Sequence, residues 1–302
     1  MRRYVPILTA GYLIFLAFAI LLPGKVESPV LDTLLSIATF TFAILLGFSI
    51  SQQNDRLSSL RTTLREMDGQ LFSLRQLTKV FDADEAALYL GHVDRYLQAQ
   101  LDYRLTDFTK TLPELQALNA FILSLKVKTD RQRQLLDHML YELRDLLRGH
   151  SGVTHNVQDE MPVALWLSLL VLSAILWAGL ILINDGTTTS LIIVPILSES
   201  ILLLLIILHD LDRLTWQERD WIWRPLIELF QTLDLVPYFP EALFADERLT
   251  QTDVDHLKAY RVVHYPEPYP DFSNKQIQLV QPTKTGSDTP VTLESRATTG
   301  DS

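Results

Sequence analysis

Cysteine is absent from this chain of 302 residues, and no cluster of lysine and arginine dominates it. Without cysteine there is no disulfide framework, no thiolate metal site and no cysteine nucleophile, and the redox compartment stays undetermined. The formal net charge is -10 at pH 7. Because polyanions are held by clustered cationic side chains, this balance argues against nucleic-acid binding.

The motifs of common catalytic sites are missing as well. The sequence contains no P-loop, no GxGxxG, no HExxH, no GxSxG and no paired ligands at metal-site spacing. We therefore expect neither an enzyme nor a bound cofactor. One weak candidate for a cation site is His209 with Asp210 and Asp212, although an acidic helix end in water is the commoner arrangement.

Apolar runs fill much of the chain, whose hydrophobic content is 48%. Four of them approach the ~20 residues that a helix needs to span a bilayer. The first follows Arg2 and Arg3, as a secretory signal would, but its apolar core is longer than that of a signal and no small-x-small cleavage site follows. We therefore expect a retained anchor. The runs cover residues 4–22, 31–50, 162–183 and 191–208.

Charges next to these runs predict their orientation. The connections after the first and third runs hold a single lysine between them, whereas arginines follow the second and fourth runs. Because cytoplasmic loops carry the excess of Lys and Arg, we expect both termini and the long middle segment to face the cytoplasm. These arginines are Arg56, Arg61, Arg65, Arg213, Arg219 and Arg224.

Helical periodicity continues between the two pairs of runs. Apolar residues at spacings of three and four predict that the second run extends into the cytoplasm as one helix. A second helix is expected to begin near Asp84, and a third to end at Gly149. Such stripes are buried either against each other within the chain or in a coiled seam between subunits. The first stripe comprises Leu57, Leu60, Leu64, Met67, Leu71 and Leu74.

These patterns together predict an all-α integral membrane protein with four transmembrane helices in a 2+2 arrangement and a cytoplasmic helical domain. Proline-punctuated stretches after the last run are expected to form loops and short helices, and the polar end of the chain a disordered tail. The predicted segments are the transmembrane pairs 1–50 and 162–208, the cytoplasmic parts 51–161 and 209–281, and the tail 282–302.

An acid interrupts the fourth run, where Glu199 stands between two serines. The fourteen Leu, Ile and Val residues of this run each favour insertion by roughly 0.3–0.6 kcal/mol, which outweighs about 3 kcal/mol for one central charge. A membrane-buried acid is a functional candidate that faces the bundle interior or a wet cavity, and Pro195 can open the backbone one turn earlier. The competing explanation is a neutral, protonated acid bonded to Ser or Thr on a neighbouring helix.

Two four-residue periodicities mark the second run. Small side chains form a small-xxx-small ladder that lets another helix approach closely, and large apolar side chains recur on an adjacent face. The large face suits either the lining of a multi-subunit axis, where an apolar constriction gates by dewetting, or contact with lipid. The ladder is Thr39, Ala43, Gly47 and Ser51, and the large face is Phe40, Ile44 and Phe48.

The end of this run, GFSISQQNDRLSSLR, resembles a segment of the bestrophin and bestrophin-like proteins. In that family the second membrane helix ends in Gly-Phe and leads to an Asp-Arg pair and then to an Arg five positions on, here Asp55, Arg56 and Arg61. The 2+2 plan and the acidic stretch HDLDRLTW after the fourth run are also similar to the family, over roughly residues 1–265. The family's Pro-Phe-Gly after that acid is replaced here by Arg-Leu-Thr.

The resemblance implies a pentamer in the lipid bilayer with an axial pore that conducts anions through an apolar neck at Phe40, Ile44 and Phe48. The divergent bacterial bestrophin-like proteins match more closely, which implies a bacterial inner membrane. The leading hypothesis is therefore a bestrophin-like homo-oligomer that acts as a passive ion channel. The main alternative is a membrane-anchored helical scaffold or sensor without a pore, and a third, weaker idea is a proton-coupled carrier that uses Glu199.

Overall fold

The structure is a computed structural model that describes residues 4–215 except 23, 25 and 27, and then residues 222–246, 249–272 and 274–281. Arg219 and the predicted disordered tail, residues 282–302, lie outside the described residues. The chain divides into two compact units. Unit 1 comprises Met1–Ser58 and Asp159–Trp216, and unit 2 comprises Ser59–Gln158 and Gln217–Ser302.

Unit 1 contains the apolar helices, which are α1 (Val5–Leu21), the first part of α2 (Pro29–Phe81), α6 (Val163–Ile183) and α7 (Thr188–Asp212). Among the described residues, α2, α6 and α7 are long and apolar enough to cross a membrane. Helix α1 is equally apolar but shorter, with 17 residues. The apolar runs of the sequence therefore fold as helices, as predicted.

The core of unit 1 joins α2 to α6 and α7. One face of α2 buries Ala38, Phe42 and Leu46 among leucines of the other two helices. At Gly179 of α6, an added Cβ would lie 2.0 Å from Leu35 Cδ2, so the glycine permits the close approach of α2. Small residues act in this way where lipid supplies no hydrophobic driving force between helices. The leucines of α6 and α7 in this core are Leu169, Leu176, Leu205 and Leu208.

Unit 2 contains the second part of α2, then α3 (Ala83–Asp102), a 3-10 helix (Leu105–Thr111), α4 (Leu112–Leu123) and α5 (Asp130–Gln158). The predicted extension of the second run as one helix is confirmed, since α2 is continuous over 53 residues. The predicted start near Asp84 is also confirmed, because Asp82 Oδ1 accepts the Asp84 N–H at 2.9 Å and caps α3. The apolar stripes are buried within the single chain, for example at Met67, Leu71 and Val93.

The predicted helix end at Gly149 is wrong. Helix α5 continues to Gln158, and His150, Val153 and Val157 extend its buried face beyond the glycine. A Cβ at Gly149 would lie 2.7 Å from Met67 Cγ. The glycine therefore provides room for close packing on α2 rather than a helix stop.

A small sheet occupies the region predicted to form loops and short helices. Strand β1 (Tyr238–Pro240) pairs in parallel with β2 (Tyr260–His264), which pairs antiparallel with β3 (Gln276–Val280). The three strands hold only three to five residues each, too few for a period-two pattern to stand out. The remaining elements are the helices α8 (Arg224–Thr232), α9 (Ala242–Ala245) and α10 (Gln251–Val254). The described chain is thus mostly helical, with one three-stranded sheet in addition.

Charged side chains hold this sheet to α3. The Arg261 guanidinium donates two hydrogen bonds to the Asp94 carboxylate, at 2.7 and 2.5 Å. At the end of α3, Asp102 Oδ1 accepts the hydroxyls of Tyr238 and Tyr265 at 2.6 Å each. Its other oxygen accepts from Lys275 Nζ at 2.8 Å. Both oxygens of this largely buried carboxylate therefore accept hydrogen bonds, as buried charges require.

Candidate functional site

The predicted neck residues lie on the face of α2 that the chain leaves open. The exposed fractions of Phe40, Ile44 and Phe48 are 68%, 40% and 72%. Phe42 and Leu46, two residues before and after Ile44, are buried in the core of unit 1. Two residues correspond to about 200° of rotation on a helix. The large apolar face is therefore directed away from the core of its own subunit.

The small-residue ladder is open too. Thr39, Ala43, Gly47 and Ser51 are all exposed. A Cβ at Gly47 would meet no atom within 4 Å among the described residues. The close helix approach that such a ladder permits is thus not made by the described helices of this chain, and the ladder remains available to another subunit or to lipid.

The family-motif residue Arg56 is buried at the junction where α2 leaves unit 1. Its Nη1 atom donates to the Asp212 carbonyl oxygen at 2.9 Å and to Gln53 Oε1 at 3.0 Å. The same nitrogen lies 3.7 Å from Asp212 Oδ1. Asp55 is exposed, and Arg61 lies in unit 2. Of the three motif residues, Arg56 therefore joins the middle of α2 to the end of α7.

Asp212 completes this polar junction. Its Oδ1 accepts the backbone N–H of Met161 at 2.8 Å, and its Oδ2 accepts Trp166 Nε1 at 3.1 Å. The carboxylate thereby links the end of α7 to the segment that begins α6. Charge-assisted hydrogen bonds of this kind are the strong ones in proteins. The junction thus connects the end of α7 and the start of α6 to the middle of α2.

The three weak candidates for a cation site, His209, Asp210 and Asp212, contact other protein groups. Asp210 Oδ2 accepts the Tyr4 hydroxyl, and His209 Nδ1 lies 3.7 Å from Asp210 Oδ1. Asp212 is engaged at the junction. No group of three or more His, Asp and Glu side chains placed to hold a metal ion occurs within the described part of the chain.

Glu199 points into the packed contact between α7 and α1. Both of its carboxyl oxygens are buried, and neither has a hydrogen-bond partner among the residues that the structure describes. The flanking serines are used elsewhere, since the Ser198 carbonyl accepts Trp177 Nε1 at 3.2 Å and Ser200 Oγ donates to the Ile196 carbonyl. A charged side chain at the centre of a helix in the bilayer costs about 2.5–3.5 kcal/mol on insertion scales. An ionised Glu199 would bear this cost without a compensating bond.

Sequence reasoning did not find Gln53, Trp166, Tyr4 and Gly11, which contact the candidate residues. Gln53 carried a usable signal, because it precedes Arg56 by three residues and so shares its helix face. Trp166 and Tyr4 carried none, because they reach Asp212 and Asp210 across 46 and 206 residues of sequence. Pairings at such separations depend on the tertiary fold.

The apolar helices of unit 1, with their polar junction and exposed apolar face, define an integral membrane protein. The chain belongs to the bestrophin-like family, because the Bestrophin-like domain matches residues 9–214. No curated protein matches the chain.

Solved structures with the same fold include variants of a bacterial bestrophin homologue from Klebsiella pneumoniae. One is 15% identical, with a TM-score of 0.57 over 68% of this chain and 89% of that chain. A second is 14% identical, with a TM-score of 0.60 over 75% and 99%. A structure described as a membrane protein is 14% identical and has a TM-score of 0.60 over 78% of this chain and 100% of that chain. At these identities the likeness concerns the fold.

Proposed function

We propose that the chain assembles into a homo-oligomeric ion channel in a bacterial inner membrane, with anions as the permeant ions. The observation that carries the proposal is the outward face of α2. Phe40, Ile44 and Phe48 are exposed on the side of the helix opposite its buried face. Around a symmetry axis, such faces form an apolar neck that gates by dewetting.

The ladder supports assembly of these faces around an axis. Thr39, Ala43, Gly47 and Ser51 lie beside the large face and are open. Small residues at such spacing let helices of neighbouring subunits approach closely, which brings the large faces together. A pentamer is the stoichiometry that the family resemblance implies. Conduction through such a neck needs no nucleotide, metal or covalent chemistry.

The proposed topology has four spans, with both termini and unit 2 in the cytoplasm. Helix α1 has 17 residues, so it rises about 26 Å, slightly less than the ~30 Å of hydrocarbon. A short deficit of this kind is met by local thinning of the bilayer at modest cost. The arginines after the second and fourth runs favour a cytoplasmic location for that side.

A scaffold or sensor without a pore is the second candidate. The observation that favours it is the exposure of Leu34 and Ile37 on α2 in addition to the neck residues. Continuous exposed apolar surface of this kind is also what a helix presents to lipid. The two candidates differ in whether Ile44 faces water or lipid in the assembled protein.

Flux measurements on cysteine variants separate the candidates, and the chain suits them because it has no native cysteine. Protein with Ile44→Cys is reconstituted into liposomes, and chloride and sodium flux are measured before and after a negatively charged methanethiosulfonate reagent. We expect chloride flux that the reagent blocks. The matched control is Leu167→Cys on α6, whose side chain is 61% exposed and is not part of the proposed neck, so we expect the reagent to leave its flux unchanged.

Three results would each contradict a different part of the proposal. Verified oligomers that pass neither chloride nor sodium favour the scaffold. Flux that responds equally to modification at Ile44 and at Leu167 excludes α2 as the pore lining. Sodium flux that exceeds chloride flux would contradict the proposed anion selectivity and leave the existence of the channel untouched.

A further inference from the structure

Glu199 is the one acid in the interior of the fourth apolar run, and its surroundings offer no counter-charge. Helices α1 and α6, which flank α7 in unit 1, contain no Asp, Glu, Lys, Arg or His, and the ionisable side chain on α1 is Tyr12. On α7 itself the next ionisable group is His209, ten residues and about 15 Å along the helix. It is followed by Asp210 and Asp212, which accept bonds at the polar junction and from Tyr4.

The charged groups of α2 do not reach Glu199 either. Asp32 is exposed near the start of α2, and Asp55 is exposed near the junction. Arg56 is bonded to Gln53 and Asp212. Among the described residues, the buried oxygens of the Glu199 carboxyl therefore have neither a hydrogen-bond donor nor a counter-charge.

Gly11 of α1 shapes the space that the carboxyl occupies. A Cβ added at Gly11 would lie 2.8 Å from Glu199 Oε2 and 2.9 Å from Leu202 Cδ2. The carboxyl thus fills the place of the missing side chain and lies directly against the α1 backbone. The aromatic pair Phe15 and Trp177, with ring centroids 5.4 Å apart, joins α1 to α6 one turn further along α1.

We propose that Glu199 is a proton-binding site in the membrane and that its occupancy controls the packing of α1 on α7. With a proton bound, the neutral carboxylic acid fits against Gly11. When the proton leaves, the carboxylate needs water or a cation, because its buried oxygens find no hydrogen-bond donor among the described residues at the contact with Gly11. Loss of the proton therefore separates α1 from α7 at this level.

This proposal does not depend on the proposed pore, because it concerns the contact between two helices of one subunit. The role assigned to Glu199 is the reversible binding of a proton, which conduction along α2 does not require. The ligand is the proton, which is bound from water as the pH falls and released as it rises.

Infrared difference spectroscopy tests the protonation directly. The spectrum of the intact protein in lipid is compared with that of Glu199→Gln, which keeps the size of the side chain and cannot ionise. We expect a carboxylic-acid C=O band at neutral pH that is absent from the variant and that gives way to carboxylate bands as the pH is raised. Asp32→Asn is the matched control, because Asp32 is exposed near the start of α2, and this variant keeps the band.

Reaction with N,N′-dicyclohexylcarbodiimide gives an independent readout. The O–H of a protonated acid adds across a C=N bond, so that the acid oxygen joins the central carbon, the proton moves to nitrogen and no group leaves. Mass spectrometry should then find one added carbodiimide on Glu199, in a yield that falls as the pH rises. Glu199→Gln should lose this product.

Spin labels at Leu13→Cys on α1 and Ile196→Cys on α7 test the packing, since both side chains are exposed. Labelled chains are diluted with unlabelled ones so that distances within one subunit are measured. We expect one narrow distance at low pH, a broader or longer distribution at high pH, and no pH effect in the Glu199→Gln background. Carboxylate bands throughout the pH range, or a distance that pH leaves unchanged, would overturn the proposal.

Discussion

Arg56 donates to the Asp212 carbonyl oxygen at 2.9 Å and lies 3.7 Å from the Asp212 carboxylate, although 156 residues separate the two in sequence. The side chains of both are largely buried. The pair joins the Asp-Arg element at the end of the second apolar run to the acidic stretch after the fourth. Both elements resemble the bestrophin-like family in sequence, and the structure brings them together as one junction.

Replacement of Arg56 by alanine should destabilise the protein by about 3–5 kcal/mol, because it leaves the largely buried Asp212 carboxylate without its cationic neighbour. Arg56→Lys should recover part of the loss, since it restores the charge without the planar geometry of the guanidinium. Thermal unfolding in detergent measures both variants. The matched control is Arg144→Ala, which breaks an exposed pair with Asp145 and should cost less than about 1 kcal/mol. Equal losses at the two sites would contradict the role of the junction.

Gly47→Leu should separate assembly from folding. Because a Cβ at Gly47 meets nothing within 4 Å in the described chain, the larger side chain should leave the subunit folded. It should prevent close approach of a neighbouring subunit and reduce the oligomer to smaller species, as measured by native mass spectrometry.

Gly91 provides the comparison for this variant, because its added Cβ also meets nothing within 4 Å and it lies on α3 in unit 2. Gly91→Leu should keep the oligomer intact. An oligomer of unchanged size in Gly47→Leu would show that the ladder faces lipid.

Asp68, which lies in unit 2 beyond the apolar part of α2, should make stability depend on pH. Burial raises the pKa of Asp68 from 3.8 to about 7, and the nearby Arg65 opposes this shift. Between about pH 4 and pH 7 the unfolded chain has released this proton while the folded chain retains it, so this group lowers stability as pH rises. The full effect is of order 2–4 kcal/mol.

Chemical unfolding of the wild type and of Asp68→Asn at pH 4.5 and at pH 7.5 measures this contribution. The variant should gain stability relative to the wild type at the higher pH. Asp84, an exposed acid in the first turn of α3, is the control, and Asp84→Asn should show no such relative gain. A constant difference between Asp68→Asn and the wild type across the range would refute the prediction.

Asp102→Asn should weaken the attachment of the sheet to α3. The substitution removes the charge that Lys275 Nζ meets at 2.8 Å. It also replaces one carboxylate oxygen by an NH2 group, so either the lysine or the two tyrosine hydroxyls lose their acceptor. A loss of about 1–3 kcal/mol is expected for such a partly satisfied buried network. Hydrogen exchange should rise in the amides of β2 and β3 while those of unit 1 stay protected. Unaltered exchange in the sheet would argue against this attachment.

The sequence predicted those features that depend on local pattern. The spacing of leucines predicted the continuous helix through Met67 and Leu74, and the start of α3 was predicted near Asp84. Three features were not predicted, because they depend on short strands or on contacts between residues distant in sequence. The short strands are too short to show a period-two pattern. Gly149 makes its close contact with Met67, which is distant in sequence. Asp212, which accepts from Arg56, and Gly11, which lies against Glu199, are on helices that sequence alone does not bring together.

The Asp102 carboxylate accepts hydrogen bonds from Tyr238, Tyr265 and Lys275, the last of which lies 173 residues later in the chain. This separation affects the order in which unit 2 folds during synthesis. During synthesis, α3 leaves the ribosome long before these donors exist, and its acidic end stays hydrated until they arrive. A polypeptide that terminates before Lys275 never neutralises that end. The attachment of the sheet to α3 is therefore completed only when the last strand has been synthesised, so that unit 2 reaches its final form late in translation.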